Sequence, residues 1–235
     1  MSKWRMILKN DLKLIRRDKM LAYMFIMPIM ILVIFRVLID QLQDNLQFQA
    51  IIPSFLGLTL ILIPMFFGFM LGFIFLDEKD DNVLATLRII PITPEEFIFY
   101  RMFLGFGFTF TFSLFAPIVL DIVELDWIET ILVSLMVALE APALAFLIGM
   151  RANNKVEGLA MFKIFGFLTM IPFASAFITS DWQYLFGVIY TYWPIKFIDA
   201  IAMNAPNQWL FYLIGISYHI ILIRWAGKMF KTHFF

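Results

Sequence analysis

A chain of 235 residues in which 62% are hydrophobic, 29 are Phe and only 15% are charged lies far from the composition of soluble domains, which are about half apolar and a quarter charged. A core of this size could not enclose so much apolar surface, so a soluble enzyme is excluded. With no Cys there is no disulfide framework, thiol nucleophile or Cys-based metal site; the formal net charge is zero, and the information lies in how charge is distributed along the chain.

Residues 1–19 come first. Trp4, Ile7, Leu8, Leu12 and Ile15 fall on one helical face, and Arg5, Lys9, Lys13, Arg16 and Arg17 occupy the other side. That pattern predicts an amphipathic helix in the headgroup layer, its basic residues toward anionic lipid; an ordinary basic flank of the first span is the alternative. The segment does not read as a cleavable signal: it is long, contains Asp11 and Asp18, and no small-residue cleavage site follows the next apolar run.

Six apolar stretches follow, each long enough to cross a bilayer as helix: 20–39, 50–76, 101–120, 127–150, 158–179 and 208–226. Short polar segments separate them, the longest being 77–100 and 180–207. Grouping alternate segments with the N-terminus collects all but Arg36 and Lys196 of the 18 Lys and Arg residues. The other side holds Asp40, Asp44, Asp121, Glu124, Asp126, Glu129, Asp181 and Asp199. Because Lys and Arg stay cytoplasmic, both termini are expected in the cytoplasm. The fold class is all-α and integral to the membrane: one six-helix bundle with an interfacial entry helix.

Signatures of catalysis are missing. No Gly-rich loop ends in Gly-Lys-Ser/Thr, no His-Glu-x-x-His or Gly-x-Ser-x-Gly occurs, and the two histidines, His219 and His233, are far apart in sequence. The expectation is that this chain is not an enzyme and binds no metal.

The segment 77–100 is the most informative. Asp80 and Asp81 favour the start of a short helix with Val83, Leu84, Leu87 and Ile90 on one apolar side, and Pro91 stops it. Thr93-Pro94-Glu95-Glu96 then reads as a capping box that starts the helix entering the third span. Such a helix suits docking against a cytoplasmic partner; a tight connector packed on the bundle is the other reading.

Glu78, Lys79, Asp80, Leu84, Leu87, Pro91, Ile92 and Thr93 fall in register with the first cytoplasmic loop of type-2 ABC exporter permeases, which typically reads Glu-Arg-Glu-x-Gly-Thr-Leu, then Leu, then Pro-Leu/Ile-Ser/Thr. Asn82 and Val83 depart from the usual Gly and Thr. The layout of the whole chain resembles that family too, and Asn154-Lys155-Val156-Glu157-Gly158 is similar to a stretch before the fifth span of some drug-export permeases. The resemblance implies that Asp81 to Ile90 is a coupling helix inserting into a separate ATP-binding subunit, which carries the ATP and Mg. Glu78, Asp80, Asp81, Leu84, Leu87, Pro91 and Thr93 would form the ATPase-coupling set. Two permease chains, identical or not, would assemble with two ATPases in a bacterial inner membrane, with lipid and no nucleic acid as the other partner. The segment 180–207 would dip back into the membrane, and Trp182, Tyr184, Tyr190, Tyr192 and Trp193 suit an interfacial belt.

Glu140 is a carboxyl group about 12 residues into the fourth span, roughly 18 Å along its axis. It is costly there and needs a partner or a water-filled cavity, so it is a candidate for the substrate path or a proton-sensitive gate. Equally, it reads as a hydrogen-bonding group beside the kink of Pro142. Arg36 is the other path candidate and the nearest charge, but its position toward the outer third of the first span lets it snorkel outward as easily as pair with Glu140. Gly68 and Gly72 form a small-x-x-x-small pair that permits close helix approach. The abundant Phe is read as bulk and packing before an aromatic cage. The functional expectation is an exporter permease moving a hydrophobic or amphipathic cargo, drug or peptide. A secondary transporter or channel using Glu140 is the alternative, and it lacks detectable inverted repeats.

Overall fold

A computed structural model describes residues 3–42, 44, 49, 51–80 and 93–234. Nine α-helices are formed among them: α1 Lys3–Arg17, α2 Lys19–Leu42, α3 Ile52–Asp80, α4 Pro94–Leu120, α5 Trp127–Ala138, α6 Glu140–Arg151, α7 Lys155–Met170, α8 Tyr192–Ala202 and α9 Gln208–Phe234. Two 3₁₀ segments, Ile171–Phe177 and Asp181–Val188, lie between α7 and α8. No described residue is in a strand. Six of the helical runs are long and apolar enough to span a membrane: Lys19–Leu42, Ile52–Asp80, Ile98–Leu120, Trp127–Arg151, Lys155–Phe177 and Gln208–Phe230. The protein is therefore an all-α, multi-pass membrane bundle.

The ends of these helices follow from local chemistry. Asp18 separates α1 from α2, its carboxylate accepting the Met20 and Leu21 N–H groups at 2.8 and 3.2 Å, which satisfies otherwise orphaned donors of the first span. The capping box expected at Thr93 is present, with Thr93 Oγ1 accepting from Glu96 N–H and the Glu96 carboxylate accepting from Thr93 N–H. A second box, Asp126 with Glu129, opens α5. The fourth span breaks at Leu139, whose N–H bonds Met136 three residues back. Pro142 explains the break: it has no N–H for the Ala138 carbonyl, and its ring crowds that carbonyl.

The second span, α3, is the hub. Every residue in its most apolar stretch is buried, by helices of the first, third, fourth and fifth spans and by α8, and Phe230 of the last span packs on its Phe75. Close contact with α6 depends on the two glycines of the small-x-x-x-small pair. A Cβ on Gly68 would stand 2.8 Å from the Ala141 carbonyl oxygen, and one on Gly72 would stand 2.8 Å from Ile148 Cβ. Phe67 fills the seam with the first and third spans, its ring 5.9, 5.6 and 5.1 Å from Phe25, Phe108 and Phe112. The perimeter is apolar as well, with Ile26, Val33, Phe167 and Ile221 exposed on α2, α7 and α9; on a membrane bundle that surface faces acyl chains.

Candidate functional site

The polar groups of the bundle gather at three levels: the basic end, where both termini lie on the spans' alternation, the middle, and the opposite, acidic end.

At the basic end two cations each bridge two acids. Arg101, in the second turn of α4, is buried and pairs through Nη1 with Asp11 Oδ1 at 3.0 Å and through Nη2 with Glu78 Oε1. This node joins α1, the last turn of α3 and the start of α4. Lys155, the first residue of α7, places Nζ 2.8 Å from both Asp18 Oδ2 and Asp77 Oδ1. The second node joins the α1–α2 junction, the same last turn of α3, and the fifth span. Burial pushes the Asp11 carboxyl up to about 6, with Arg101 pulling the other way. Asp18 goes in the opposite direction. Partial burial raises it, but the Lys155 contact and the Leu21 and Met20 N–H groups outweigh that and hold it below the usual range.

Of the coupling set, Glu78 is thus committed to the first node, Asp80 is exposed at the end of α3, and Thr93 caps α4. Asp81, Leu84, Leu87 and Pro91 lie outside the described residues. Sequence reasoning passed over Asp11 and Arg101 as functional residues. A signal existed: Asp11 is three residues after Leu8 and four before Ile15, inside the apolar stripe of α1. In the structure Asp11 and Ile15 turn inward, while Leu8 and Leu12 are exposed.

In the middle, Glu140 begins α6 at the break in the fourth span and is 1% exposed. Its partner is His219 of α9, with Nε2 2.9 Å from Glu140 Oε1. The other ring nitrogen, Nδ1, lies 2.7 Å from the Gly215 carbonyl oxygen. The carbonyl requires a proton on Nδ1, so a neutral ring accepts at Nε2 from a protonated Glu140, and a charged ring donates to its carboxylate. Either way the sealed pair carries no net charge while it holds one shared proton beyond the Nδ1 hydrogen. Tyr190 packs its ring edge-on to the imidazole, with centroids 5.6 Å apart.

Arg36 takes no part in this. It donates to the Leu120 carbonyl at 2.8 Å and pairs with Asp40 at 3.2 Å, tying the acidic ends of the first and third spans together. Of its two alternatives, outward reach is the one taken: it finds an exposed carboxylate one turn away, whereas Glu140 already has an enclosed imidazole. At the same end Ser54 donates to Asp199 of α8 at 3.0 Å. A cavity of about 420 Å³ opens there between Pro53, Glu124, Glu129, Ile201, Asn204 and Gln208. Among the described residues no three of His, Asp and Glu gather as a metal-binding group.

Six apolar spans, with charged groups tied at both ends and a buried Glu–His pair between them, define a multi-pass membrane protein. The model of the family described as fluoroquinolones export permease protein Rv2686c-like matches residues 11–226, and the chain belongs to that family. Two relatives from Mycobacterium tuberculosis, the fluoroquinolones export permease protein MT2760 of strain CDC 1551 / Oshkosh and the fluoroquinolones export permease protein Rv2686c of strain ATCC 25618 / H37Rv, are each 27% identical over 230 residues, covering 93% of this chain and 89% of theirs. No solved structure matches the chain. The resemblance to exporter permeases is borne out.

Proposed function

We propose that this chain is the membrane subunit of an ATP-driven exporter, moving an amphipathic or hydrophobic cargo by alternating access, with ATP and Mg bound and hydrolysed by a separate subunit. The observation that carries the reading is the segment 78–93, eight of whose residues match the exporter loop in register and whose two roots are held: Glu78 in a buried ion pair and Thr93 in a capping box. Held roots tie both ends of that segment to the spans. Relatives named as fluoroquinolone export permeases support a drug of that class as cargo. The basic end then faces the cytoplasm of a bacterial inner membrane, both termini with it. A second permease chain completes the translocation path, since α3, the hub of this one, is enclosed on all sides.

Gentle extraction followed by mass spectrometry of co-purifying proteins tests this directly. A stoichiometric protein with a phosphate-binding loop is expected, and Leu87→Glu should release it while the chain still inserts. A chain that purifies alone under conditions preserving other exporters loses its power source. One observation favours a second reading in that event: the enclosed Glu140–His219 pair has the chemistry of a proton site, and proton-driven flux into vesicles without ATP is the outcome that would select it.

A further inference from the structure

The two nodes at the basic end do more than hold helices together, because of where they attach. Asp77 and Glu78 are consecutive residues in the last turn of α3, and each is held by a different cation: Asp77 by Lys155 from the fifth span, Glu78 by Arg101 from the third. Asp11 and Asp18 belong to one entry segment, seven residues or about 10.5 Å of helix apart, and they take the remaining arm of each node. The entry helix is therefore stapled at two points to the same turn of α3. Through these contacts the ends of the first, second, third and fifth spans share charged side chains around the residues that flank 81–92. Side-chain pairs 90 residues apart (Asp11 to Arg101) and 137 apart (Asp18 to Lys155) are contacts of the folded bundle only.

We infer that Lys155 and Arg101 are positioning residues for energy coupling: between them the two cations lock the entry segment and the roots of the loop into one body, so that a push on the loop moves four spans together. The inference rests on the ATP-driven reading above. Each cation is shared between two carboxylates, which gives the assignment a signature. Removing an acid leaves the cation with the other carboxylate, while removing the cation takes the shared counter-charge from both. Lys155 is the better probe, since its side chain is about a third exposed, whereas Arg101 is buried.

Because the chain contains no Cys, a single Gln208→Cys beside the acidic-end cavity reports events at the far end of the bundle through its reaction with an impermeant maleimide. In the complex of this chain with its co-purified ATPase in nanodiscs, ATP with vanadate should change that labelling rate. Lys155→Met should keep the ATPase bound and the rate without nucleotide unchanged, and should shrink the nucleotide response on the order of ten-fold. Lys155→Arg, which keeps both contacts, should retain the response. Lys155→Met with Asp18→Asn takes away one of the two acids that shared the cation, so thermal stability should return while the response stays lost. A merely structural role predicts the reverse for that double variant: stability and response recovering together would overturn the assignment, as would a full response in Lys155→Met. A wild-type complex with no nucleotide response at all overturns the ATP-driven reading, and the coupling role with it.

Discussion

The charged groups at the basic end and the Glu140–His219 pair solve the same electrostatic problem in opposite ways. At the basic end, each cation serves two acids, the acids come from different helices, and the Lys155 node keeps contact with water. In the middle, one acid meets one imidazole, both within 1% of complete enclosure, and among the described residues no second charge is paired with them. Sharing makes the nodes tolerant of losing a carboxylate and intolerant of losing the cation. Pairing makes the middle equally intolerant of losing either member, yet indifferent to exchange of both for apolar groups.

The largest effect should come from Arg101→Met. It takes the shared counter-ion from the buried Asp11 and Glu78, a loss of about 3–5 kcal/mol by the measure of broken buried pairs. Asp11→Asn, leaving Arg101 with Glu78, should cost clearly less. The pH dependence distinguishes this from lost packing. Asp11 has its carboxyl raised to about 6 by burial, so the stability associated with its protonated form is present at low pH and lost as pH rises through that value. Without the guanidinium the relief on acidification grows, and the melting temperature of Arg101→Met should close on wild type between about pH 8 and about pH 5. The Lys155 node should not respond in that window, because Asp18 is held below the ordinary carboxylate range. A gap that stays constant with pH would mean that Arg101 acts by packing alone.

A smaller loss is expected in the middle. His219→Leu removes the partner of Glu140 and leaves an enclosed carboxyl unsatisfied, about 1–3 kcal/mol. Glu140→Gln can still hydrogen-bond the ring and should cost little in melting temperature. Glu140→Leu with His219→Leu should recover most of the His219→Leu loss, as apolar replacements of buried pairs do. Should that stable double variant also transport normally, the pair is a helix-to-helix tie and nothing more; transport lost at full stability would place the pair in the path or gate.

Legibility in the sequence followed the range of the interaction. Spans, the capping box at Thr93 and the close approach at Gly68 and Gly72 depend on residues within one or two turns, and hydropathy and spacing expose them. The break in the fourth span was announced by Pro142. Glu140 was recognisable as a buried acid needing a partner, but its partner is 79 residues away on the last span, and no periodicity within one helix points across a bundle. Arg36 was the nearest charge, with pairing and outward snorkelling both open; the fold placed a neutral-capable imidazole beside Glu140, which can be enclosed at lower cost than a guanidinium. Asp11 was visible as an acid within an apolar stripe, yet that anomaly acquires meaning only when Arg101 is seen beside it. The coupling residues Asp81, Leu84, Leu87 and Pro91 lie outside the described residues, so for them the argument remains that of register and resemblance.

The mildest substitution sharpens the contrast between the two regions further. Thr93→Ala removes the side-chain acceptor for Glu96 N–H at the root of α4, while the Arg101 node two turns on is untouched. Cap losses cost about 1 kcal/mol, and Thr93 is exposed, so water replaces part of what is lost; the melting temperature should fall slightly. If the loop transmits force through both its roots, the nucleotide response at Gln208→Cys should drop by more than that small stability change would suggest, because the first turn of α4 frays where the push arrives. Thr93→Ser, which retains the acceptor, should preserve the response. If Thr93→Ala keeps the whole response while Lys155→Met loses it, force enters the bundle through the α3 root and the entry helix, and the α4 root is only a hinge.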